Sequence, residues 1–370
     1  MASNEDNLLY QIGLNEARGI GPRLSKQLIT HLGSARAAYE SSPKELKELE
    51  NITNNAIESL QAGDGLQRAE EELRWMEGKP VQTHFILDPS YPRRLRHCED
   101  APLVLYQWGD TDLNPQYSLG IVGTRAATEL GQHFCDQFVH DLQVYNPLIV
   151  SGLAYGIDIA AQRGALQYGL TTVGVVAHGL DTVYPSLHRS AAREMEAAGG
   201  GLLTDFMHGT RPDRENFPMR NRIIAGMVDA VLVVEAGHKG GALITAELAH
   251  SYHRDVLAVP GRYNDPVSQG CNQLIKEHKA SLVTRAKDLE RLLLWKPMDH
   301  QPAAQTKLFA ELNATQQTIY ELLEKENQPV ELEWLCYQLE ISVSKALQEL
   351  MTLELGGMVR ALPGKKYCKN

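Results

Sequence analysis

Four glycine-bearing segments of this 370-residue chain, each following a short apolar run, carry the side chains best suited to holding an anion. The first is Gly123-Thr124-Arg125. Its glycine lets the backbone approach a phosphate, amides at the start of a coming helix point toward it, and Arg125 adds a bidentate fork. The spacing is not GxGxxG, so an ordinary turn is the competing reading. The second, Ser151-Gly152-Leu153-Ala154-Tyr155-Gly156-Ile157-Asp158, leaves amides accessible through Gly152 and Gly156, with Asp158 placed to cap a helix. Close packing of helix on sheet through Ala160, Ala161, Gly164 and Ala165 explains these glycines equally well.

The third segment, Arg211 to Arg222, holds four arginines with Asn216, Phe217, Arg220 and Asn221 among its twelve residues. Arginine alternating with an aromatic ring suits gripping phosphates while stacking a base. Pairing of those arginines with Asp213, Glu215 and other surface carboxylates is the alternative. The fourth, Glu235-Ala236-Gly237-His238-Lys239-Gly240-Gly241, offers an amide nest at a helix start with Lys239 as a point charge. Four such loops meeting at one sheet edge form a continuous anion-binding rim.

Other chemistries lack their residues. His178 has no second histidine at ligand spacing, and His188, His250 and His253 read as surface or packing residues. There is no Ser-His-Asp ordering, no GxSxG elbow and no P-loop. The five cysteines, Cys98, Cys135, Cys271, Cys336 and Cys368, contain no CxxC pair and suggest neither zinc nor a disulfide framework. The expectation is a site without catalytic residues, metal or cofactor. A net charge of -10 argues against coating nucleic acid by bulk electrostatics, so phosphate binding must be local. No run of eighteen apolar residues and no signal-peptide profile is present, which gives the expectation of a cytoplasmic protein without membrane contact.

Positioning such a rim requires strands that end together. From Tyr117 short apolar runs alternate with helix-length segments: Leu119–Val122, Leu148–Val150, Thr172–Val176, Gly201–Thr204, Ala230–Val234, Val256–Val259 and Ala280–Val283. Continuous apolar strands alternating with helices predict an α/β fold with a parallel sheet covered on both faces. Leu130, Phe134, Phe138 and Leu142 predict one buried stripe on the helix after the first strand. Residues 1–78 read as helical, with Leu24, Leu28 and Leu32 in register and a tight turn at Gly19-Ile20-Gly21-Pro22. Residues 79–295 form the sheet domain, its proline-rich lead-in holding short strands at Phe85-Ile86-Leu87 and Val104-Leu105-Tyr106. A linker, 296–310, precedes a small domain, 311–370. Its capping box Asn313-Ala314-Thr315-Gln316 opens a helix with Ile319, Leu322 and Leu323. Helical segments Leu332–Leu339 and Val343–Leu355, then a hairpin from Gly356-Gly357-Met358-Val359-Arg360 to Lys365-Lys366-Tyr367, complete a winged-helix reading.

In order along the chain, Ile121-Val122-Gly123-Thr124-Arg125, Ser151 to Asp158, Gly179-Leu180-Asp181 with Tyr184-Pro185, Asn216-Phe217-Pro218 with Arg220 to Gly226, Gly241 to Ala246, Val259-Pro260-Gly261 and Gly270-Cys271-Asn272 resemble the DNA-processing protein A (DprA/Smf) family. The resemblance runs from Tyr91-Pro92 to Val283. It implies an extended Rossmann-like domain that binds single-stranded DNA, forms a homodimer, shields incoming DNA in natural transformation and helps load the RecA recombinase, without catalysis. It places the phosphate-gripping arginine at Arg125, the basic loop residue at Lys239, and the aromatic and arginine cluster at Phe217, Arg220 and Arg222. The terminal appendages resemble a helix-hairpin-helix or SAM-like domain and a winged helix. Thr124 stands where serine is commoner, Gln162 where histidine is usual, Ala177-His178 where a glycine and a small residue are expected, and Gly240 where serine is expected. Threonine keeps a hydroxyl for phosphate contact, and His178 at a strand end alters the rim locally.

Two rival readings remain open on the sequence. A Rossmann-like nucleoside monophosphate phosphoribohydrolase would use Glu247 with Arg220 or Arg222. A double-stranded-DNA adaptor would use the Gly19–Pro22 turn and Lys365, Lys366 and Lys369 of the wing. The expected self-association region follows Gly270, with Leu274 and Ile275.

Overall fold

The seven apolar runs become seven parallel strands, and the five buried on both faces show no polar alternation. A computed structural model describes residues 4–298, 313–326, 329–339, 341–355, 358–362 and 364–369. Its strands are β1 (Val81–Phe85), β2 (Val104–Gly109), β3 (Ser118–Val122), β4 (Leu148–Ser151), β5 (Thr172–Val175), β6 (Gly201–Thr204), β7 (Ala230–Val233), β8 (Asp255–Ala258) and β9 (Ser281–Leu282). The spatial order is β1-β2-β6-β5-β4-β3-β7-β8-β9. β6 through β9 pair in parallel, while β1 and β2 add an antiparallel edge, with Tyr106 opposite both Thr83 and Thr204. Every residue of β3 to β7 is buried. The winding direction reverses between β3 and β7, which leaves a crevice outside their carboxyl ends.

Helices cover both faces. On one side α8 (Glu129–Asp141) and α9 (Ile157–Gln167) pack Phe138, Val139 and Ala161 against Leu119, Ile121 and Leu232. On the other, α11 (Asn216–Gly226) and α12 (Gly241–Ser251) pack Ile223, Ile224, Ala242 and Ala246 against Val122, Val150 and Val231. That second core runs without a break into Ile12, Leu14, Leu28, Leu46 and Leu60 of the amino-terminal helices. These are α1 (Asn4–Glu16), α2 (Pro22–Leu32), α3 (Ala35–Glu40), α4 (Pro43–Leu46), α5 (Asn54–Gln61) and α6 (Leu66–Met76). Residues 1–299 accordingly form one compact unit, and position 78 marks a change of secondary structure inside it. Short helices α7 (Arg93–Arg96), α10 (Arg189–Ala197), α13 (Gln269–Lys276) and α14 (Asp288–Leu292) complete it.

Two expectations shift. Leu130 is 76% exposed, and α8 buries Gly131, Cys135, Phe138 and Val139 instead, because Gly131 rather than Leu130 must face the sheet edge. The first short strand ends at Phe85, with Ile86 buried beyond it and Leu87 59% exposed in the turn that follows.

Residues 300–370 form the second unit. Helices α15 (Ala314–Glu326), α16 (Leu332–Leu339) and α17 (Val343–Leu355) and the strands β10 (Val330–Glu331), β11 (Val359–Leu362) and β12 (Lys366–Lys369) enclose Ile319, Leu323, Leu335, Ala346, Leu350 and Val359. The capping box forms: Gln316 N–H donates to Asn313 Oδ1 at 2.9 Å, and Asn313 N–H donates to Gln316 Oε1 at 3.1 Å. Residues 299–310 of the expected linker, and Gly356-Gly357, lie outside the described residues.

Candidate nucleic-acid interface

The loop after β3 is built on a buried carboxylate. Thr124 N–H donates to the Glu235 carbonyl at 2.8 Å, and Thr128 N–H donates to the Glu235 carboxylate at 3.0 Å. Thr128 also caps α8 by accepting from Gly131 N–H at 3.0 Å. Glu235, 7% exposed, thus occupies the α8 amino terminus where an anion would otherwise sit. A Cβ at Gly131 would lie 2.3 Å from the Glu235 carboxyl carbon. Gly131→Ala should therefore cost about 1–3 kcal/mol of stability, read as a lowered urea midpoint, because it displaces a buried carboxylate from its bonds to Thr128.

The loop after β4 closes around Asp158. Its carboxylate accepts from Gly152 N–H at 3.1 Å, while Arg220 donates to the Gly152 carbonyl at 2.8 Å and to the Val175 carbonyl. Asp158 and Arg220 therefore hold Gly152 through the peptide groups on either side of its Cα. Burial pushes the Asp158 pKa up, opposed by the charge of Arg220 and by the amides of Gly152, Ala154 and Gly123. Burial likewise lowers the Arg220 pKa to about 10, against the pull of Asp158. Gly152 has no room for a side chain, since a Cβ would stand 2.6 Å from Asp158 Oδ2 and 2.7 Å from Arg220 Nη2. Gly156, at φ +77°, lets the loop pass within contact of the Thr124 carbonyl.

These contacts revise the expected nest. The Thr124 and Thr128 amides serve Glu235 and the Gly152 amide serves Asp158, so these three are not open to a ligand. Gly123 packs against Ile157, and Ser151, fully buried, donates to the Ile121 carbonyl. The Thr124 hydroxyl accepts from Ala126 N–H at 3.2 Å. Asn221 is buried, taking a bond from Arg220 and reaching the Gly241 carbonyl. Arg222 leaves the rim: its guanidinium donates to the Met219 and Asp100 carbonyls and pairs with Asp205 at 2.5 Å. Both arginines were expected to touch phosphate; α11 turns Arg222 away to Asp205, while Arg220, 4% exposed, lines the cleft from beneath with Nη1 spent on the Gly152 and Val175 carbonyls.

What remains at the crevice is a set of free cations around an aromatic ring. Arg125 is exposed, with its guanidinium carbon 5.1 Å from the Phe217 ring centre, and Arg220 approaches the same ring at 6.0 Å. Tyr184, 44% exposed, lies 6.0 Å from Phe217. A cleft of about 250 Å³ between Gly123-Thr124-Arg125, Phe217 and Lys239-Gly240-Gly241 opens onto a groove of about 1160 Å³ edged by Tyr184, Arg214, His238 and Ile244. Gly240 precedes α12 without a side-chain cap, so the first amides of that helix face the cleft beside Lys239.

Among the described residues Arg125, Arg211, Arg214 and Lys239 form no ion pair. The neighbouring Asp213 instead accepts from Glu215 N–H at 3.1 Å. Asn216 braces that loop by donating to the Arg211 and Ala177 carbonyls. A chain of net charge -10 can hence present a locally positive edge.

The other candidates resolve differently. His178 is 1% exposed; it accepts from Tyr184 N–H at Nε2, which leaves Nδ1 to donate to the Gly179 carbonyl at 2.8 Å. Burial lowers its pKa, and the neutral ring acts as a brace for the turn carrying Tyr184. Glu247 is held by Lys279 at 2.7 Å, and Arg220 and Arg222 are engaged elsewhere, so the hydrolase constellation does not assemble. Beside the Gly19–Pro22 turn, Arg18 pairs with Asp64 and Arg23 with Glu99; on the wing, Lys366 pairs with Glu331 and Lys369 with Glu324. Leu274 is buried in the sheet core rather than free for self-association.

A family model described as DNA recombination-mediator protein A matches residues 82–293, and one described as DprA winged helix domain matches residues 301–365. Protein Smf of Synechocystis is 36% identical over 279 residues, covering 74% of this chain and 69% of that protein. DNA processing protein DprA of Streptococcus pneumoniae is 41% identical over 207 residues, covering 55% and 71% respectively. The X-ray structure of the S. pneumoniae DprA matches with a TM-score of 0.66 at 32% identity, over 78% of this chain and 98% of that one. DNA processing protein A from Helicobacter pylori, solved for its single-stranded DNA binding mode, matches with a TM-score of 0.52 at 28% identity, over 59% and 97%.

Proposed function

The chain belongs to the DNA recombination-mediator protein A (DprA/Smf) family, and from that membership and the geometry of its rim we propose that it binds single-stranded DNA without cleaving it. Its role is that of a DNA-processing protein of transformation and recombination, shielding incoming strands and helping to load RecA as a homodimer. The observation that carries the reading is the gathering of Arg125, Lys239 and Arg214, none of them in an ion pair among the described residues, around Phe217 and Tyr184 at the reversal point of the sheet. Phosphates lie against the Arg125 fork and the α12 amides with Lys239, and the rings offer a face to any base. Gly123, Thr124, Ser151, Gly152, Gly156, Asn216, Arg220 and Asn221 support this surface from beneath.

A titration of short oligonucleotides at two salt concentrations tests it. Single strands should bind more tightly than duplex of equal length, with log affinity falling about 0.7 per phosphate contact for each unit of log salt, a total slope of roughly -2 to -3. Equal binding of duplex, or affinity insensitive to salt, would contradict the reading. Release of base from nucleoside monophosphates, abolished by Glu247→Gln, would instead support the hydrolase.

A further inference from the structure

The amino-terminal helices touch the sheet domain where the arginine loop begins. On α6, Glu72 is 1% exposed yet directs both carboxylate oxygens to one residue: His208 N–H donates to them at 3.1 and 3.0 Å, and His208 Nδ1 lies 2.6 Å from Oε2. Arg68 joins the same carboxylate at 3.2 Å and donates to the His208 carbonyl at 2.5 Å. Trp75 stacks flat on the His208 ring at 5.1 Å, with planes 3° apart. Arg68, Glu72 and Trp75 of one helix thereby fix the residue that opens the arginine loop.

From His208 the chain is held on its other side at Gly209 by Asp181 (2.8 Å) and at Thr210 by Gly179 N–H (3.0 Å), then presents Arg211 and Arg214 to solvent. Helix α2 meets the far end of the same system. Lys26 donates to the Cys98 and Glu99 carbonyls, and Asp100, next in sequence, takes Arg222 of α11 on its carbonyl and Tyr252 on its carboxylate at 2.6 and 2.7 Å. The amino-terminal region thus brackets α11 and its preceding loop, with Lys26 and Arg68 used in docking. The apolar core already joins the two regions, and these polar bonds add a fixed position for one loop residue.

We propose that Glu72 is a positioning residue for DNA binding: through His208 it sets where Arg211 and Arg214 meet the strand, so that the amino-terminal helices raise affinity without contacting DNA. This rests on the proposed single-strand reading of the rim. The test uses the full chain and a short single strand titrated across salt. Glu72→Ala and His208→Ala should each bind about five- to tenfold more weakly, with the salt slope shallower by about 0.7 for each phosphate that is no longer held. The double change Arg211→Ala, Arg214→Ala should show the same weakening, and adding His208→Ala to it should weaken binding no further, as expected of groups acting through one another. His208 is partly exposed, so its variant reports even where Glu72→Ala unfolds. Additive effects, or an unchanged salt slope, would overturn the proposal. If the double arginine variant binds as the parent does while Arg125→Ala is weakened, positioning fails and the rim reading stands. Parent-like binding by Arg125→Ala as well removes the rim reading itself.

Discussion

Arg125→Ala should weaken binding of short single strands about ten- to a hundredfold at moderate salt, nearly equally across sequences. The magnitude is that of a hydrogen bond to a charged group, about 1.5–3 kcal/mol, at roughly 1.4 kcal/mol per tenfold. Arg125 is the exposed cation that reaches the cleft from the loop after β3, and it rests on Phe217 at 5.1 Å, so its removal takes both a phosphate fork and the guanidinium face over the ring. The salt slope should become shallower by about 0.7. Arg125→Lys should recover only part of the affinity, because an ammonium keeps the charge but not the planar fork. Thermal unfolding should be unchanged, since the side chain is exposed and forms no ion pair with the described residues. Parent-like affinity in Arg125→Ala would remove the anchor from the mechanism.

Arg220→Ala should act on the fold first, lowering stability by about 3–5 kcal/mol, the cost of leaving the buried Gly152 and Val175 carbonyls without their charged donor and Asp158 without the nearby positive charge. Arg220 is 4% exposed and Asp158 6%, and together they hold Gly152 by its carbonyl and its N–H. Without the guanidinium, the Gly152 and Val175 carbonyls lose their donor and the Asp158 carboxylate keeps only amides. The readout is a urea midpoint, compared with Arg125→Ala as a variant of the same charge change. Adding Asp158→Asn to Arg220→Ala should restore part of the stability by removing the stranded charge. A variant of parent-like stability that binds DNA weakly would return Arg220 to the phosphate surface.

These two arginines show where sequence and structure part. The residues around each loop announce an anion site by type alone: glycine after an apolar run, arginine beside an aromatic ring. Sequence does not report which way α11 is turned. Arg220 and Arg222 are two positions apart, and the helix sends one under the cleft to Gly152 and the other to Asp205. Leu130 failed for the same reason, one position of rotation on α8 separating an exposed leucine from the glycine that clears Glu235. Glu235 and Asp158 were visible as residues, but their role required knowing that the loops after β3 and β4 supply the amides they satisfy. The packing of Tyr184 beside Phe217 and the bond from Glu72 to His208 carried no local signal, because each joins distant parts of the chain, the second across 136 residues.

The sequence by itself determined the parallel sheet, the capping box of α15 and the strand-end edge that carries the candidate site. Strand burial and cap chemistry are local properties, and the reversal point then follows from the order of the strands. Tertiary structure alone decided which cations at that edge stay free. A charge is available to DNA only if no buried carbonyl or carboxylate has claimed it, and those acceptors come from distant parts of the chain. Arg125 keeps an unpaired guanidinium over Phe217, whereas Arg220 and Arg222, equally arginine on paper, hold the framework on which it stands.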